Sequence, residues 1–497
     1  MNASDHPDLA NATIAPRVAV RLGSVHRQIL RALIVLASAT LLVRVVGMGM
    51  QVIVTSRFGE GPQMDAYFIA AGGPMLLAVV GTATIEQSVV PVYARVSAQG
   101  NREQAARLFS TLLHLVLMAA TGLTVLMLVF RRPVILMSAP AADPFRMERA
   151  VSLALVVFPS LVLTTALALM ESVLNAEGQF GWPAYAGLLV PLASAAAVLV
   201  AGKSLGVVTL GLGALIGLCL QGVAFVVRLR RAKIRYRPIL DMHNPALGPV
   251  VRGAWPALLG SCIVAISPLV DQMFASALSA GNISAINYAL KLSSVPTGVI
   301  FVAVQRAVLP HLSRQAGLRD MPAFKATLRL YMWLVGLGTL LVTALLVTLA
   351  HPLVQILFQR GAFSAADTDR TATTLIGFVA GLLPMGLDFL LASAFSALGQ
   401  NRVNMYAAVF SVTTNAIFDY LLSRVWGSLG IALATSAFYA CGLPLVLFML
   451  RRMIGRLELL MPPRELLQVV RIAPRIMRPR HAAQERTARR TRWSRPR

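Results

Sequence analysis

Charged side chains interrupt several long apolar stretches of this sequence, and these are the residues that could do chemistry. A charge at the depth of a bilayer costs roughly 2.5–3.5 kcal/mol, so each one needs a partner or a water-filled cavity. Both signs occur in both halves of the chain, which favours a cavity between two lobes lined by cations and neutralising carboxylates. The charged residues concerned are Arg44, Asp65, Glu86, Glu171, Asp271, Lys291, Arg306, Asp388 and Asp419.

Structural roles are open for several of these residues. Asp65 follows Gly61 and Pro62, where a carboxylate could cap the free N–H groups at the start of a helix. Arg306 lies about one turn from the end of its stretch and could extend to the membrane surface. Arg44, Lys291 and Asp271 lie deepest; for them a purely structural ion pair remains the alternative. Glu171 and Asp419 could lie near an interface.

Patterns typical of soluble enzymes are absent from the sequence. There is no HExxH, no GxSxG and no phosphate-binding loop with its Gly-Lys-Ser/Thr ending. The three cysteines lie inside apolar runs and form no CxxC pair. We therefore predict a protein that is not an enzyme, needs no cofactor or metal, and draws energy from ion gradients, the membrane potential or the gradient of its substrate.

The composition indicates a polytopic membrane protein. Of the 497 residues, 57% are hydrophobic and only 13% are charged, and the mean hydropathy is +0.71. Crossing about 30 Å of hydrocarbon takes about 20 apolar residues, and backbone groups in lipid must be satisfied within a helix. Twelve spans are predicted: 29–55, 65–94, 107–130, 149–174, 183–202, 206–229, 252–279, 284–311, 327–350, 371–398, 403–423 and 428–450.

The distribution of basic residues predicts the topology. Lys and Arg together number 45 against 20 Asp and Glu, and they concentrate before the first span, after even-numbered spans and in the tail. Cytoplasmic loops collect such residues, so we expect both termini in the cytoplasm. The first 28 residues hold no uninterrupted apolar run, so no cleavable signal peptide is expected. The opposite side holds few basic residues, namely Arg57, Arg131, Arg132, Arg146, Arg149, Lys203, Arg360, Arg370 and Arg424.

The same charges divide the chain into segments. A cytoplasmic segment, 1–28, precedes an N-lobe of six spans, 29–229. The basic linker 230–251 separates it from a C-lobe of six spans, 252–450, and a basic cytoplasmic tail follows at 451–497. We expect the tail to lie against anionic lipid headgroups, each basic residue contributing about 1 kcal/mol near the surface. No nucleic-acid partner is expected, because positive-inside bias and lipid contact account for the excess charge.

Three blocks of sequence resemble the MurJ/MviN lipid II flippases. The first comprises Arg44–Gly47, RFGEGPQMDAYF at 57–68 and EQSVVP at 86–91. The second comprises DQMFAS at 271–276, NYALKLSSVPTG at 287–298 and LPHLS at 309–313, and the third is LFQRGAF at 357–363. Their order and spacing match the family over roughly residues 30–460.

The resemblance implies the exporter fold of multidrug and oligosaccharidyl-lipid transporters, with two six-helix lobes that open alternately to either side of the bacterial inner membrane. Its substrate class would be an undecaprenyl-diphosphate-linked saccharide, either lipid II or an exopolysaccharide-type precursor. Arg44 and Lys291 match two cavity cations of the family, the second as Lys where Arg is usual. Asp65, Glu86, Asp271 and Arg306 complete the predicted substrate-binding set.

Other positions depart from the family pattern. Met50-Gln51 stands where Arg-Asp is usual, and Ala78-Val79 stands where paired Arg is usual. At least two expected diphosphate-binding cations are therefore absent, and twelve spans are predicted here where lipid II flippases typically have two more. We expect incomplete replacement of a lipid II flippase.

Three other functions compete with this interpretation. An ion-coupled small-molecule exporter would favour acidic, aromatic-lined sites. A degenerate member without transport activity could scaffold envelope-biosynthesis proteins through its basic tail. A membrane glycosyltransferase or ligase would need large loops, and no loop here exceeds a few tens of residues.

Overall fold

The chain is all-α. A computed structural model describes residues 38–234 and 236–455, and within those ranges it contains helices and turns without a strand. The predicted N-terminal cytoplasmic segment and nearly all of the basic tail lie outside the described residues. The predicted all-α membrane fold is confirmed.

The N-lobe is built from nine helical segments. Helices α5 and α6 together form one apolar span with a bend of 41° between them. Helices α7 and α8 together form a second, continuous span. The bounds are α1 Ser38–Phe58, α2 Pro62–Ala98, α3 Arg102–Val129, α4 Arg131–Ser138, α5 Pro144–Val157, α6 Ser160–Ala176, α7 Gly181–Ala186, α8 Leu189–Leu205 and α9 Val208–Arg231. Helix α2 packs against α5 and α6, and α9 packs against α6 and α8.

The C-lobe is built from six segments. Helices α13 and α14 form one apolar span. The bounds are α10 Leu247–Ala275, α11 Asn282–Gly317, α12 Met321–Phe358, α13 Ala365–Ala380, α14 Leu382–Ala397 and α15 Asn401–Ile454. Helix α11 packs against α12, α13 and α14, while α10 packs along α2 of the other lobe.

Helix α15 reverses direction at Gly427. Its 54 residues would extend about 81 Å as one straight helix, far more than the membrane thickness. Gly427 instead adopts φ 58° and ψ −130°, a left-handed conformation that favours glycine. A Cβ atom on Gly430 would overlap the carbonyl group of Leu422, so the two halves of α15 lie side by side as separate spans.

The number of spans in the structure equals the twelve predicted from the sequence once α11 and α15 are considered individually. Nine helices in the described ranges are long and apolar enough to cross a membrane, or ten with the bent pair α5–α6. Helix α11 is not among them; its 36 residues include Lys291, Arg306 and Arg314. To the ten, α11 adds one span and the second half of α15 adds another, which gives the twelve predicted.

The loops lie at two opposite ends because successive spans alternate in direction. We call one the Glu60 end, with loops 59–61, 139–143, 206–207, 276–281 and 359–364 and the turn at Gly427. The other is the Arg237 end, with loops 99–101, 177–180, 232–246, 318–320 and 398–400.

Buried apolar residues show how the lobes meet. One core cluster spans both lobes toward the Glu60 end, where Val54 and Met64 pack with Tyr288, Phe358 and Phe363. Toward the Arg237 end there are two separate clusters. One fills the N-lobe and includes the start of α10; the other lies within the C-lobe. The lobes therefore share one core at the Glu60 end, and at the Arg237 end they meet through α10.

Candidate functional site

Helices α1 and α11 face each other across the two lobes, and each brings one predicted cation to the groove between them. The Arg44 guanidinium donates a hydrogen bond of 2.7 Å to the carbonyl oxygen of Ser294. A Cβ atom at Gly298 would lie 2.8 Å from the Arg44 Cζ, so this glycine makes room for the guanidinium. The Lys291 ammonium donates to the Gln51 side-chain oxygen.

Both cations are accessible in this groove. Arg44 and Lys291 are exposed, whereas Gln51 is only 1% exposed. No carboxylate in the described part of the chain forms an ion pair with either cation. Arg has five N–H donors and Lys has three, so donors remain for an incoming oxyanion. On α1 the two contact points, residues 44 and 51, are two helical turns or about 10 Å apart.

Asp65 joins the lobes at the Glu60 end. Its carboxylate accepts hydrogen bonds from the backbone N–H groups of Gly281 at 2.7 Å and Ser284 at 2.8 Å, and from the Ser284 hydroxyl at 2.5 Å. The sequence suggested that Asp65 could cap its own helix, yet α2 has no side-chain cap. The carboxylate instead caps α11 in the opposite lobe, which ties the ends of the two lobes together.

Arg146 supports this connection. Its guanidinium lies 3.5 Å from the Asp65 carboxylate and donates to the carbonyl oxygens of Ser276 at 3.2 Å and Leu278 at 3.0 Å. It also pairs with Asp143, the N-cap of α5. The pKa of Asp143 is lowered, because its carboxylate accepts hydrogen bonds from the backbone N–H and from the side chain of Arg146. From the sequence, Arg146 is only one of the loop charges, although Asp143-Pro144 is a recognisable helix start.

Glu60 forms a second connection at the same end. Its buried carboxyl group lies 3.2 Å from the Arg370 guanidinium and accepts a hydrogen bond from the Thr371 hydroxyl. Burial raises the pKa of Glu60 to about 9, against the opposing effects of Thr371 and Arg370. The Ala362 N–H also donates to the Ser56 carbonyl oxygen at 2.8 Å. The groove is thus sealed at the Glu60 end.

Asp271 lies inside the C-lobe and not in the groove. The Asn415 side-chain N–H donates to Asp271 at 2.6 Å and to Asp419 at 2.9 Å. One oxygen of Asn415 and one of Asp419 are buried without a hydrogen-bond partner in the described chain. Asp271 also lines a cavity of about 370 Å³, together with Asp388 and Tyr439. The unpaired oxygens could accept a proton or a small cation.

Two candidates remain, Glu86 and Arg306. Glu86 is exposed on α2 and interacts electrostatically with Glu171 of α6, within the N-lobe. Arg306 belongs to α11, but its side chain lies outside the described part of the structure.

The sequence model of a protein family described as lipid II flippase MurJ matches residues 54–472 of this chain. The chain belongs to the MurJ family. This match includes Lys291 and begins ten residues beyond Arg44. MurJ proteins are flippases, hence transporters, and the chain is a multi-pass protein of the bacterial inner membrane.

Individual MurJ proteins match most of the chain. A probable lipid II flippase MurJ from Bdellovibrio bacteriovorus is 28% identical over 422 residues, covering 82% of this chain and 79% of that protein. The lipid II flippase MurJ of Burkholderia cenocepacia is 27% identical, covering 84% and 83%.

Solved structures share the fold. A lipid II flippase MurJ in an inward closed conformation superposes with a TM-score of 0.72 at 23% identity, covering 88% of this chain and 90% of that one. An inward-facing multidrug transporter of the MATE family superposes with a TM-score of 0.68 at 15% identity, covering 86% and 98%.

Proposed function

We propose that this MurJ family member moves a polyprenyl-diphosphate-linked saccharide across the inner membrane by alternating access. The observation that carries the proposal is the pair of exposed cations, Arg44 and Lys291, on facing helices between the lobes. A diphosphate needs charge-assisted hydrogen bonds inside a protein, while its prenyl tail can stay in lipid. Family membership favours this function over a small-molecule exporter or a scaffold.

The proposed orientation places both termini and the Arg237 end in the cytoplasm. At that end the C-lobe joins the N-lobe core only through α10 in the described chain, whereas both lobes share a core at the Glu60 end, so a substrate would enter the groove from the cytoplasmic side. Release on the other side then requires opening of the Glu60 end. That step breaks the contacts of Asp65 with α11 and of Glu60 with Arg370.

We further propose that Asp271, Asn415 and Asp419 bind the proton or monovalent cation that drives this cycle. Their two unpaired buried oxygens support it, because a buried polar atom without a partner is costly. Asp271 lies on α10, which packs along α2 of the N-lobe. Occupancy of the site can therefore affect how the lobes pack.

The test is transport of a lipid-linked diphosphate saccharide in proteoliposomes. We expect Lys291→Ala to abolish transport and Lys291→Arg to retain it, because either cation binds phosphate. Arg424→Ala is the matched control, since this exposed cation stacks on Tyr420 away from the groove. Equal transport by the Ala and Arg variants at position 291 would contradict the proposed role.

A further inference from the structure

A second cationic site lies at the Glu60 end of the N-lobe, apart from the groove. A cavity of about 700 Å³ is bounded by α1, α5, α8 and the start of α9. Three basic residues, Arg57, Arg149 and Lys203, line it, and no carboxylate does. The rest of the wall is mainly apolar, with Phe58 and Leu155 among its residues. We call this cavity the Arg57 pocket.

The three cations come from three different helices. Arg57 is half-buried and lies across α8, because Gly202 has no side chain in its way: a Cβ atom there would be 3.4 Å from the Arg57 Nε. Arg149 and Lys203 are exposed. Glu148, which directly precedes Arg149 in the sequence, pairs with Arg132 at 3.0 Å. Within the described chain, none of the three pocket cations has a carboxylate partner.

Bias toward positive charge in cytoplasmic loops does not explain this cluster. The Glu60 end has few basic residues, and three of the nine named in the sequence analysis line this one pocket. Like charges placed together repel one another unless an anion binds between them. Val208, the first residue of α9, and Gly206 and Val207 of the preceding loop also line the pocket, and the N–H groups at a helix start add to its positive potential.

The depth and lining of the pocket indicate its ligand. Arg57 and Lys203 lie within three residues of the ends of α1 and α8, and Arg149 lies in the second turn of α5. Residues so close to the ends of membrane-spanning helices lie at the level of lipid headgroups. Arginine binds phosphate in a bidentate manner, and the apolar wall suits the adjoining glycerol and acyl carbons.

We propose that the Arg57 pocket binds the phosphate of an anionic phospholipid in the leaflet at the Glu60 end. The proposal concerns a surface separate from the groove between α1 and α11, and it does not depend on the transported substrate. Arg57 and Arg149 would hold the phosphate oxygens, and Lys203 would add a point charge.

Binding can be measured with the purified full chain in a neutral detergent. The melting temperature is followed while phosphatidylglycerol or, separately, phosphatidylcholine is titrated in. The pocket variant combines Arg57→Gln, Arg149→Gln and Lys203→Gln. The control combines Arg131→Gln, Arg360→Gln and Arg424→Gln, which removes the same charge from the same end. The variant that combines Arg57→Lys and Arg149→Lys, called the Lys variant, retains the charge.

We expect phosphatidylglycerol, but not phosphatidylcholine, to stabilise the wild-type and control proteins. The pocket variant should bind phosphatidylglycerol at least about tenfold more weakly, since several charge-assisted contacts are lost, and the Lys variant should bind within a few-fold of wild type. Equal weakening in the pocket and control variants would overturn the site. Should the pocket variant fail to fold, the exposed pair Arg149→Gln and Lys203→Gln makes the same comparison.

Inorganic phosphate and diphosphate show whether the Arg57 pocket binds the phosphate of a lipid or a free phosphate. Stabilisation by phosphatidylglycerol that inorganic diphosphate weakens by competition supports recognition of the lipid phosphate. Stabilisation by inorganic diphosphate alone, with no effect of phosphatidylglycerol, would overturn the assignment to a lipid.

Discussion

Gln51 determines how much net positive charge the groove between α1 and α11 presents. It accepts a hydrogen bond from Lys291 through a neutral amide, at a position where the family pattern suggests an acidic residue. The charge of Lys291 is therefore not cancelled by its neighbour. This partly offsets the absence of a cation at Met50.

A change of Gln51→Asp should weaken substrate binding, because the new carboxylate would neutralise Lys291. The loss of a charge-assisted contact of about 1.5–3 kcal/mol corresponds to roughly a tenfold or greater change in affinity. Binding of a lipid-linked diphosphate to the purified protein measures it. Gln51→Asn, which keeps a neutral amide, is the control, and an undiminished affinity of the Asp variant would contradict the charge argument.

Glu60 should make the seal of the Glu60 end dependent on pH. Its pKa is about 9 in the sealed form, because of burial, against an ordinary value of 4.5 when exposed. The sealed form therefore holds a proton at neutral pH that opening releases, so the seal weakens as pH rises from about 4.5 to about 9. Asp65, Asp367 and Arg370 are the charged groups that act on Glu60. All three are present both in the wild-type protein and in the Glu60→Gln variant with which it is compared.

The distance between spin labels at the exposed residues Ala141 and Ala366, one in each lobe at this end, reports the seal in a chain whose three cysteines are replaced. We expect the fraction with a long distance to be greater at pH 8 than at pH 6. In Glu60→Gln the two fractions should be nearly equal. A wild-type fraction that does not change with pH would rule out this proton.

At the scale of secondary structure, α11 begins at a carboxylate supplied by the other lobe. Removal of Asp65 leaves the buried Arg146 with Asp143 as its one described acidic partner and takes away the acceptor of the Gly281 and Ser284 N–H groups, and breaking a buried ion pair costs about 3–5 kcal/mol. Asp65→Ala should therefore lower the melting temperature of the purified protein by several degrees.

Combining Asp65→Ala with Arg146→Leu should cost less than the sum of the two single changes, because each single change already removes the interaction between Asp65 and Arg146. Ser364→Ala, which removes a cap made within the C-lobe, gives a reference loss of about 1 kcal/mol. Strict additivity of the Asp65 and Arg146 changes would show that the two residues do not interact.

Local sequence patterns predicted the spans well and their long-range contacts poorly. Lipid requires helices of about 20 apolar residues, so the breaks at Gly59 and Gly427 could be identified from composition alone. The helix that Asp65 caps begins more than 200 residues later, and Asn415 meets Asp271 from a distant span. Such pairs depend on how the lobes pack, which no local periodicity records. Lys291 was found by its isolation in an apolar stretch, whereas its partner Gln51 carries no such signal.

For the whole molecule, the orientation in the membrane is directly testable. We expect reporter fusions after residue 140 to lie in the periplasm and fusions after residue 240 in the cytoplasm, because Lys and Arg concentrate at the Arg237 end. Each position is tested with two reporters, one that is active only in the periplasm and one that is active only in the cytoplasm. The reverse result would contradict the proposed direction of transport.

The chain should only partly replace a lipid II flippase in cells depleted of their own. Each missing cation forfeits a charge-assisted contact of roughly 1.5–3 kcal/mol, so two absences could weaken binding about 100-fold or more. Growth is measured with membrane expression matched to the native flippase. Full growth at native expression would show that the cations absent at Met50 and Ala78 are not needed.

The spacing of Arg44 and Lys291 has a consequence for how a substrate moves. Their contact points on α1, residues 44 and 51, are two helical turns apart. Under the proposed function, a headgroup that enters from the Arg237 end would therefore meet Arg44 first, and Lys291, which lies nearer the Glu60 end, would receive it before the far side opens.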